Sequence, residues 1–177
     1  MEMTRIARRA RLLAGVTVAM MIALPVAAVA VLATGGVDSE TLRATYGIRT
    51  MPDDIGTGPT FVWLWVETLR MALVLWVLWS VRRWLAACAQ GAIFAADTAR
   101  HVQRIGSGLL VLAAAHVIGN TVIVAALTWH NPAGQRSLAI GFGSAEVLLI
   151  LAAGLMTLFG WIQSEAARLS AENEGFV

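Results

Sequence analysis

Charge, lysine and cysteine are scarce in this sequence. Only 14% of its 177 residues are charged, against roughly 25% in an ordinary soluble domain. With 58% apolar residues and a mean hydropathy of +0.72, the chain reads as an integral membrane protein. Its length leaves room for one membrane bundle and no separate soluble domain. All 13 basic side chains are arginine. The net charge of +2 is too small to imply direct nucleic-acid binding, so the placement of the arginines matters more than their sum. The lone Cys88 excludes an internal disulfide and any cysteine-built zinc or iron–sulfur site. No phosphate-cradling glycine loop, paired metal motif or nucleophile elbow occurs. No enzyme activity and no cofactor are therefore predicted.

Long apolar runs are what the sequence has instead. A helix needs about 20 mainly apolar residues to cross a bilayer, and four stretches qualify: residues 12–33, 61–81, 108–129 and 138–162. The predicted fold is all-α, a four-helix transmembrane bundle. Breakers mark the connectors, with Gly35-Gly36, Pro52, Gly56, Gly58 and Pro59 in the first and Asn131-Pro132 with Gly134 in the third. Nine arginines (Arg5, Arg8, Arg9, Arg11, Arg82, Arg83, Arg100, Arg104 and Arg168) lie on one side, in the two tails and the 82–107 connector. Three (Arg43, Arg49 and Arg136) lie on the other. The positive-inside bias then predicts cytoplasmic termini, an outer loop at 34–60 and residence in a bacterial cytoplasmic membrane. Aromatic belts agree: Phe61, Trp63 and Trp65 outside, Trp79 and Trp84 inside, Trp129 outside and Trp161 inside. The first span resembles a cleavable signal at Ala28-Val29-Ala30. Its 22 residues exceed the roughly 7–15 of a signal's apolar core, so it is expected to remain as an anchor.

Five polar residues interrupt the spans: Glu67, Arg70, His116, Asn120 and Glu146. At ~1.5 Å rise per residue, all five fall within about one helical turn of the span centres. Glu67 and Arg70 are i, i+3, and His116 and Asn120 are i, i+4, so each pair shares a helix face. A guanidinium has donors for two carboxylates, and Arg70 is expected to bond Glu67 on its own helix and Glu146 across the bundle. Two readings stay open. Such a layer can hold helices in register with no ligand, or it can be a proton- or ligand-responsive site. A bis-histidine haem is disfavoured because His101 and His130 lie at opposite boundaries, far from the depth of His116.

Small residues at Gly15, Ala19, Ala23 and Ala27 form a stripe on the first span, and Gly141, Gly143, Gly154 and Gly160 punctuate the fourth. Both are predicted close-packing surfaces. Asp97, Arg100, His101 and Arg104 make one polar face, with Val102, Ile105 and Leu109 on another and Ile93 and Phe94 just before. This predicts a short amphipathic helix on the cytoplasmic surface between spans two and three. The 163–177 tail carries Glu165, Arg168, Glu172 and Glu174. Connector and tail, opposite in charge, are expected to touch each other or to form a docking face for a cytoplasmic protein. The 34–60 loop, with Asp38, Glu40, Asp53 and Asp54, is long enough to cap the bundle or sense something outside.

Two segments, GAIFAADTARHVQRIGSGLL (91–110) and EAARLSAENEGFV (165–177), resemble a family of small four-span bacterial membrane proteins. Gly91, Phe94, Arg100, Arg104 and Ile105-Gly106 match its connector pattern, and the acidic helical tail matches its closing segment. The family is a domain of unknown function, often encoded beside a helix-turn-helix regulator of Cro/CI type. The resemblance implies four spans and a transcription-factor partner, but it carries no functional residue onto this chain.

The reading that follows is an inner-membrane regulatory or interaction protein, in contact with lipid and a small helix-turn-helix regulator, and a candidate homo-oligomer. The alternatives are a small proton-coupled transporter using Glu67 or Glu146 near the midplane, and a structural subunit of a larger membrane complex.

Overall fold

The computed structural model describes residues 2–34, 38–48, 55–91, 96–132, 136–138 and 140–174, with side chains described from residue 7 onward except at 96, 170, 171, 173 and 174. Gly35-Gly36, Arg49, Pro52, Asp53, Asp54, Ile93, Phe94, Gly134, Gly175, Phe176 and Val177, and the side chains of Arg5 and Glu174, lie outside the described residues.

Among the described residues the chain forms five helices: α1 (Glu2–Ala33), α2 (Ser39–Tyr46), α3 (Thr57–Ala89), α4 (Ala96–Thr128) and α5 (Ser144–Glu174). All but α2 are long and apolar enough to cross a membrane. They overrun the predicted spans because the flanking arginines, alanines and glutamates are themselves good helix formers. α3 opens with Pro59 in its first turn, where a missing N–H costs nothing. It stops at Gln90, whose N–H closes on Ala86 and Ala87, followed by Gly91 at φ +82°.

The long helices pack in chain order: α1 on α3, α3 on α4, and α4 on α5. Among the described residues no comparable contact closes α5 back onto α1. The bundle is thus an open row with α4 flanked on both sides, and glycines set its spacing. At Gly106 an added Cβ would lie 2.4 Å from Thr157 Oγ1 and 3.0 Å from the Ala153 carbonyl of α5. At Gly160 it would lie 2.7 Å from Gln103 on α4. Of the other glycines predicted to pack closely, Gly154 and Gly141 face open space. The stripe Gly15, Ala19, Ala23 and Ala27 is exposed. α1 instead packs through Ala10, Thr17 and half-buried Ala14, Met21, Leu24 and Ala28. These residues alternate steps of four and three along one face of the helix, whereas the exposed stripe steps by four throughout.

Three segments depart from expectation. The amphipathic stretch is not a separate surface helix but the opening turns of α4. Ala99, Val102 and Ile105 are buried by protein rather than left for lipid. The outer loop contains α2. Asp38 caps it by accepting from the Thr41 N–H at 2.8 Å, an interaction that holds its carboxyl below the ordinary value, and Gly47 ends it at φ +64°. Leu42 and Ile48 of this segment form a buried cluster with Ile123, Val124 and Leu127 of α4. The fourth span is helical only from Ser144. Residues 136–138 and 140–143 are not helical, and Leu138, Ile140 and Phe142 are exposed. Gly141 and Gly143 weaken helix extension there. Glu146 then caps the start of α5 by accepting from the Gly143 N–H at 2.8 Å.

Candidate functional site

The polar residues converge on α4, which packs against α3 on one flank and α5 on the other. Arg70 projects from α3 and is 7% exposed. Its Nη1 donates to Glu67 Oε1 at 2.6 Å, one helical turn back. Its Nη2 donates across the interface to Asn120 Oδ1 at 2.8 Å and to the His116 carbonyl at 3.1 Å. That reach depends on Gly119, where a Cβ would sit 2.6 Å from Nη2 and 3.0 Å from Nε. The guanidinium packs closely on α4 at Gly119, with Nε buried and, among the described residues, without a partner.

Glu67 Oε1 also accepts from Tyr46 OH at 2.9 Å, and that hydroxyl accepts from Trp63 Nε1 at 3.2 Å. The α2 helix thereby adds an aromatic pair to the network. Burial first, and then the neighbouring Glu67 carboxylate, push the Tyr46 phenol up to about 12, so it stays protonated and keeps donating. Among the described residues Glu67 Oε2 carries no hydrogen bond.

Glu146 departs from the expected arrangement. It does not reach Arg70. Its Oε1 lies 3.3 Å from His116 Nδ1, while its Oε2 caps α5. In a row of helices α4 stands between α3 and α5, so a carboxylate on α5 meets the histidine of α4 first. The expected Glu67–Arg70–Glu146 triad is thus two clusters on opposite flanks of α4. One is Tyr46–Glu67–Arg70–Asn120 and the other is His116–Glu146. Glu146 lies level with His116, with which it is in contact, but in the first turn of α5 rather than inside a longer span as expected.

A cavity of about 550 Å³ joins the clusters, lined by all five residues predicted from the spans together with Thr45, Tyr46, Val124, Gly141 and Ala145. Counting Glu67, Arg70 and Glu146 as ionised and His116 as neutral, its lining carries one net negative charge. Sequence reasoning missed Tyr46, Trp63, Gly119 and Gly143. Only Tyr46 left a signal, as the single tyrosine of the chain in a loop otherwise poor in large side chains.

The predicted docking face lies at the opposite end from α2. Arg100 pairs with Asp97 within α4, and Arg168 pairs with Glu165 at 2.6 Å and Glu172 at 3.8 Å within α5. Arg104 is exposed, while His101 is half-buried with Nδ1 lacking a partner. The pairs run along each helix and none joins α4 to α5 among the described residues, so the expected contact between connector and tail is not made through charge. Trp63, expected in an aromatic belt, points into the network instead. Trp79 and Trp129 are exposed and stack under Arg82, Arg83 and Arg136 at 5.4–5.8 Å.

No family model, curated protein or solved structure matches the chain. Four helices long and apolar enough to span a membrane are compatible with a multi-pass integral membrane protein, and three of them, α3, α4 and α5, together with α2 line the polar cavity.

Proposed function

We propose that the chain is a regulatory protein of the bacterial inner membrane. Both termini lie in the cytoplasm, and the polar cavity opens toward the outer side and governs a cytoplasmic docking face. One observation carries this reading. The helices that bear the His116–Glu146 contact, α4 and α5, continue without a break to the exposed charged ends at Arg100, Arg104, Glu165, Arg168 and Glu172. A change in that contact shifts two rigid helices together, and a small relative movement at the cavity reappears at their far ends. The arginine asymmetry supports the orientation, and the resemblance of 91–110 and 165–177 supports a small helix-turn-helix regulator as the partner. Pull-down of the tagged full chain from membranes of its host should recover a small DNA-binding protein. Deleting residues 171–177 should reduce that recovery, and unchanged recovery would remove the tail from the docking face.

The cavity also favours a second reading, a small transporter. Among the described residues Glu67 keeps an unoccupied carboxylate oxygen and lines the cavity on a candidate membrane span, and intramembrane carriers use such protonatable groups. Substrate-dependent proton flux in proteoliposomes, lost in Glu67→Gln, would select it.

A further inference from the structure

The polar cavity has an apolar neighbour. Between α1, α2 and α3 lies a second cavity of about 650 Å³, lined mainly by aliphatic side chains such as Leu24, Ala28 and Leu32 of α1 and Leu64 and Met71 of α3. Thr45, Tyr46 and Glu67 line both cavities. Trp63 borders the apolar one, and the Trp63–Tyr46–Glu67 hydrogen-bond chain stands at their junction. The molecule thus holds an oily cleft that ends on an aromatic pair and a carboxylate, beyond which lies a polar chamber.

We propose that this composite site binds an amphiphile with an alkylammonium head and a hydrocarbon tail, drawn from the membrane leaflet on the α2 side. Three features argue for that chemistry. First, the chamber is lined by two carboxylates, Glu67 and Glu146, against the single guanidinium of Arg70, so by formal count a monovalent cation balances it, and an uncompensated charge between membrane helices is costly. Second, Arg70 does not oppose such a head, because it is 7% exposed and its Nη atoms are committed to Glu67, Asn120 and the His116 carbonyl. Among the described residues no donor occupies Glu67 Oε2, which is left to accept. Third, the aromatic side chains of Tyr46 and Trp63 line the cleft beside the carboxylate, and aromatic rings next to an acid are what ammonium groups bind. A proton on His116 would also balance the charge, but it would leave the apolar cleft and its aromatic mouth unused. The cleft lies between membrane helices, so its occupant arrives with a tail. This inference gives the proposed regulatory site its ligand class and rests on that reading only for the consequence of binding.

The test uses the purified full-length chain in dodecyl maltoside micelles and radiolabelled dodecyltrimethylammonium, with protein-free micelles as the partition blank. Saturable binding near one per chain is expected. Tetramethylammonium, which lacks the tail, and dodecanol, which lacks the charge, should each compete about tenfold or more weakly, a difference of about 1.4 kcal/mol. Glu67→Gln should weaken binding about tenfold. Ala28→Trp should do the same by filling the cleft without touching the polar network, and it decides the matter if the Glu67 variant does not fold. Absence of saturable binding, equal competition by dodecanol, or undiminished binding to a folded Ala28→Trp protein would each overturn the proposal. These readouts need no protein partner. Intact binding with no recovered regulator would sink the proposed function and leave the ligand assignment standing.

Discussion

Helices α1 and α4 are nearly equal in length and both are apolar, yet they do different work. α4 is packed on both flanks, and its Gly106, Gly108 and Gly119 each sit where a methyl group would collide with a neighbour. α1 touches α3 alone, and its Gly15 has nothing within 4 Å. Hydropathy does not separate them, since lipid rewards an apolar surface as readily as a protein neighbour does. What separates them is where backbone must approach backbone and where a charge must be matched. α4 offers carbonyl, amide and imidazole groups to both sides, whereas α1 contributes no ionisable group to the network and forms one wall of the apolar cleft.

Removing the charge that α4 accepts should produce the largest effect. Arg70→Ala leaves half-buried Glu67 without its cation and strips Asn120 and the His116 carbonyl of their donor, and is expected to cost about 3 kcal/mol, the low end for a buried pair because Glu67 is partly exposed. Thermal unfolding in detergent, followed by helicity, measures it, and a loss below about 1 kcal/mol would mean that solvent already screens the pair. Next comes packing. Gly119→Leu or Gly106→Leu should cost about 1–3 kcal/mol by overpacking, while Gly15→Leu should stay within about 0.5 kcal/mol. Equal effects in α1 and α4 would erase the contrast between them.

A subtler measurement exploits the single tyrosine. Its phenolate absorbance should titrate near 12 rather than at the ordinary value near 10. Because the folded value lies above the unfolded one, the stability that Tyr46 lends to α2 docking is fully present below pH 10 and is lost as pH rises through about 12. Glu67→Gln should bring the midpoint part of the way back, since burial, the larger cause, remains. The smallest effect belongs to the exposed pairs. Arg168→Ala should change stability by only about 0.3–0.5 kcal/mol, so any strong loss of partner recovery in that variant reflects docking rather than folding.

Much of this architecture was legible in the sequence. The four apolar runs and the five polar interruptions could be read directly, because burying Glu67, Arg70 or Glu146 alone in hydrocarbon costs too much for them to stand apart. Their pairing was not legible. Spacing along one helix predicts Glu67 with Arg70, and the structure contains that pair. Whether Glu146 meets Arg70 or His116 depends instead on the order of helices across the bundle, which hydropathy does not encode. The same limit explains the stripe at Gly15, Ala19, Ala23 and Ala27. Four-residue spacing names a face but not which neighbour, if any, it meets. α2 escaped notice because eight residues with mixed polarity carry no span-like signal, and its anchoring depends on Leu42, Tyr46 and Ile48 finding α3 and α4.

The late start of α5 has a mechanical consequence for the bilayer. Glu146, in its first turn, meets His116, which lies 12 positions before the end of α4, or ~18 Å along the axis at 1.5 Å per residue. Over that height the flank of α4 is covered by non-helical chain. Leu138, Ile140 and Phe142 point outward there, and among the described residues no backbone hydrogen bond ties Leu138, Ile140, Gly141 or Phe142. Unpaired amides in hydrocarbon cost several kcal/mol each, so wherever this segment lies at membrane depth its amides require water or a locally thinned bilayer. α3 thus presents an unbroken helical wall to lipid, whereas on the α5 side the bilayer must accommodate a stretch of non-helical backbone beside α4.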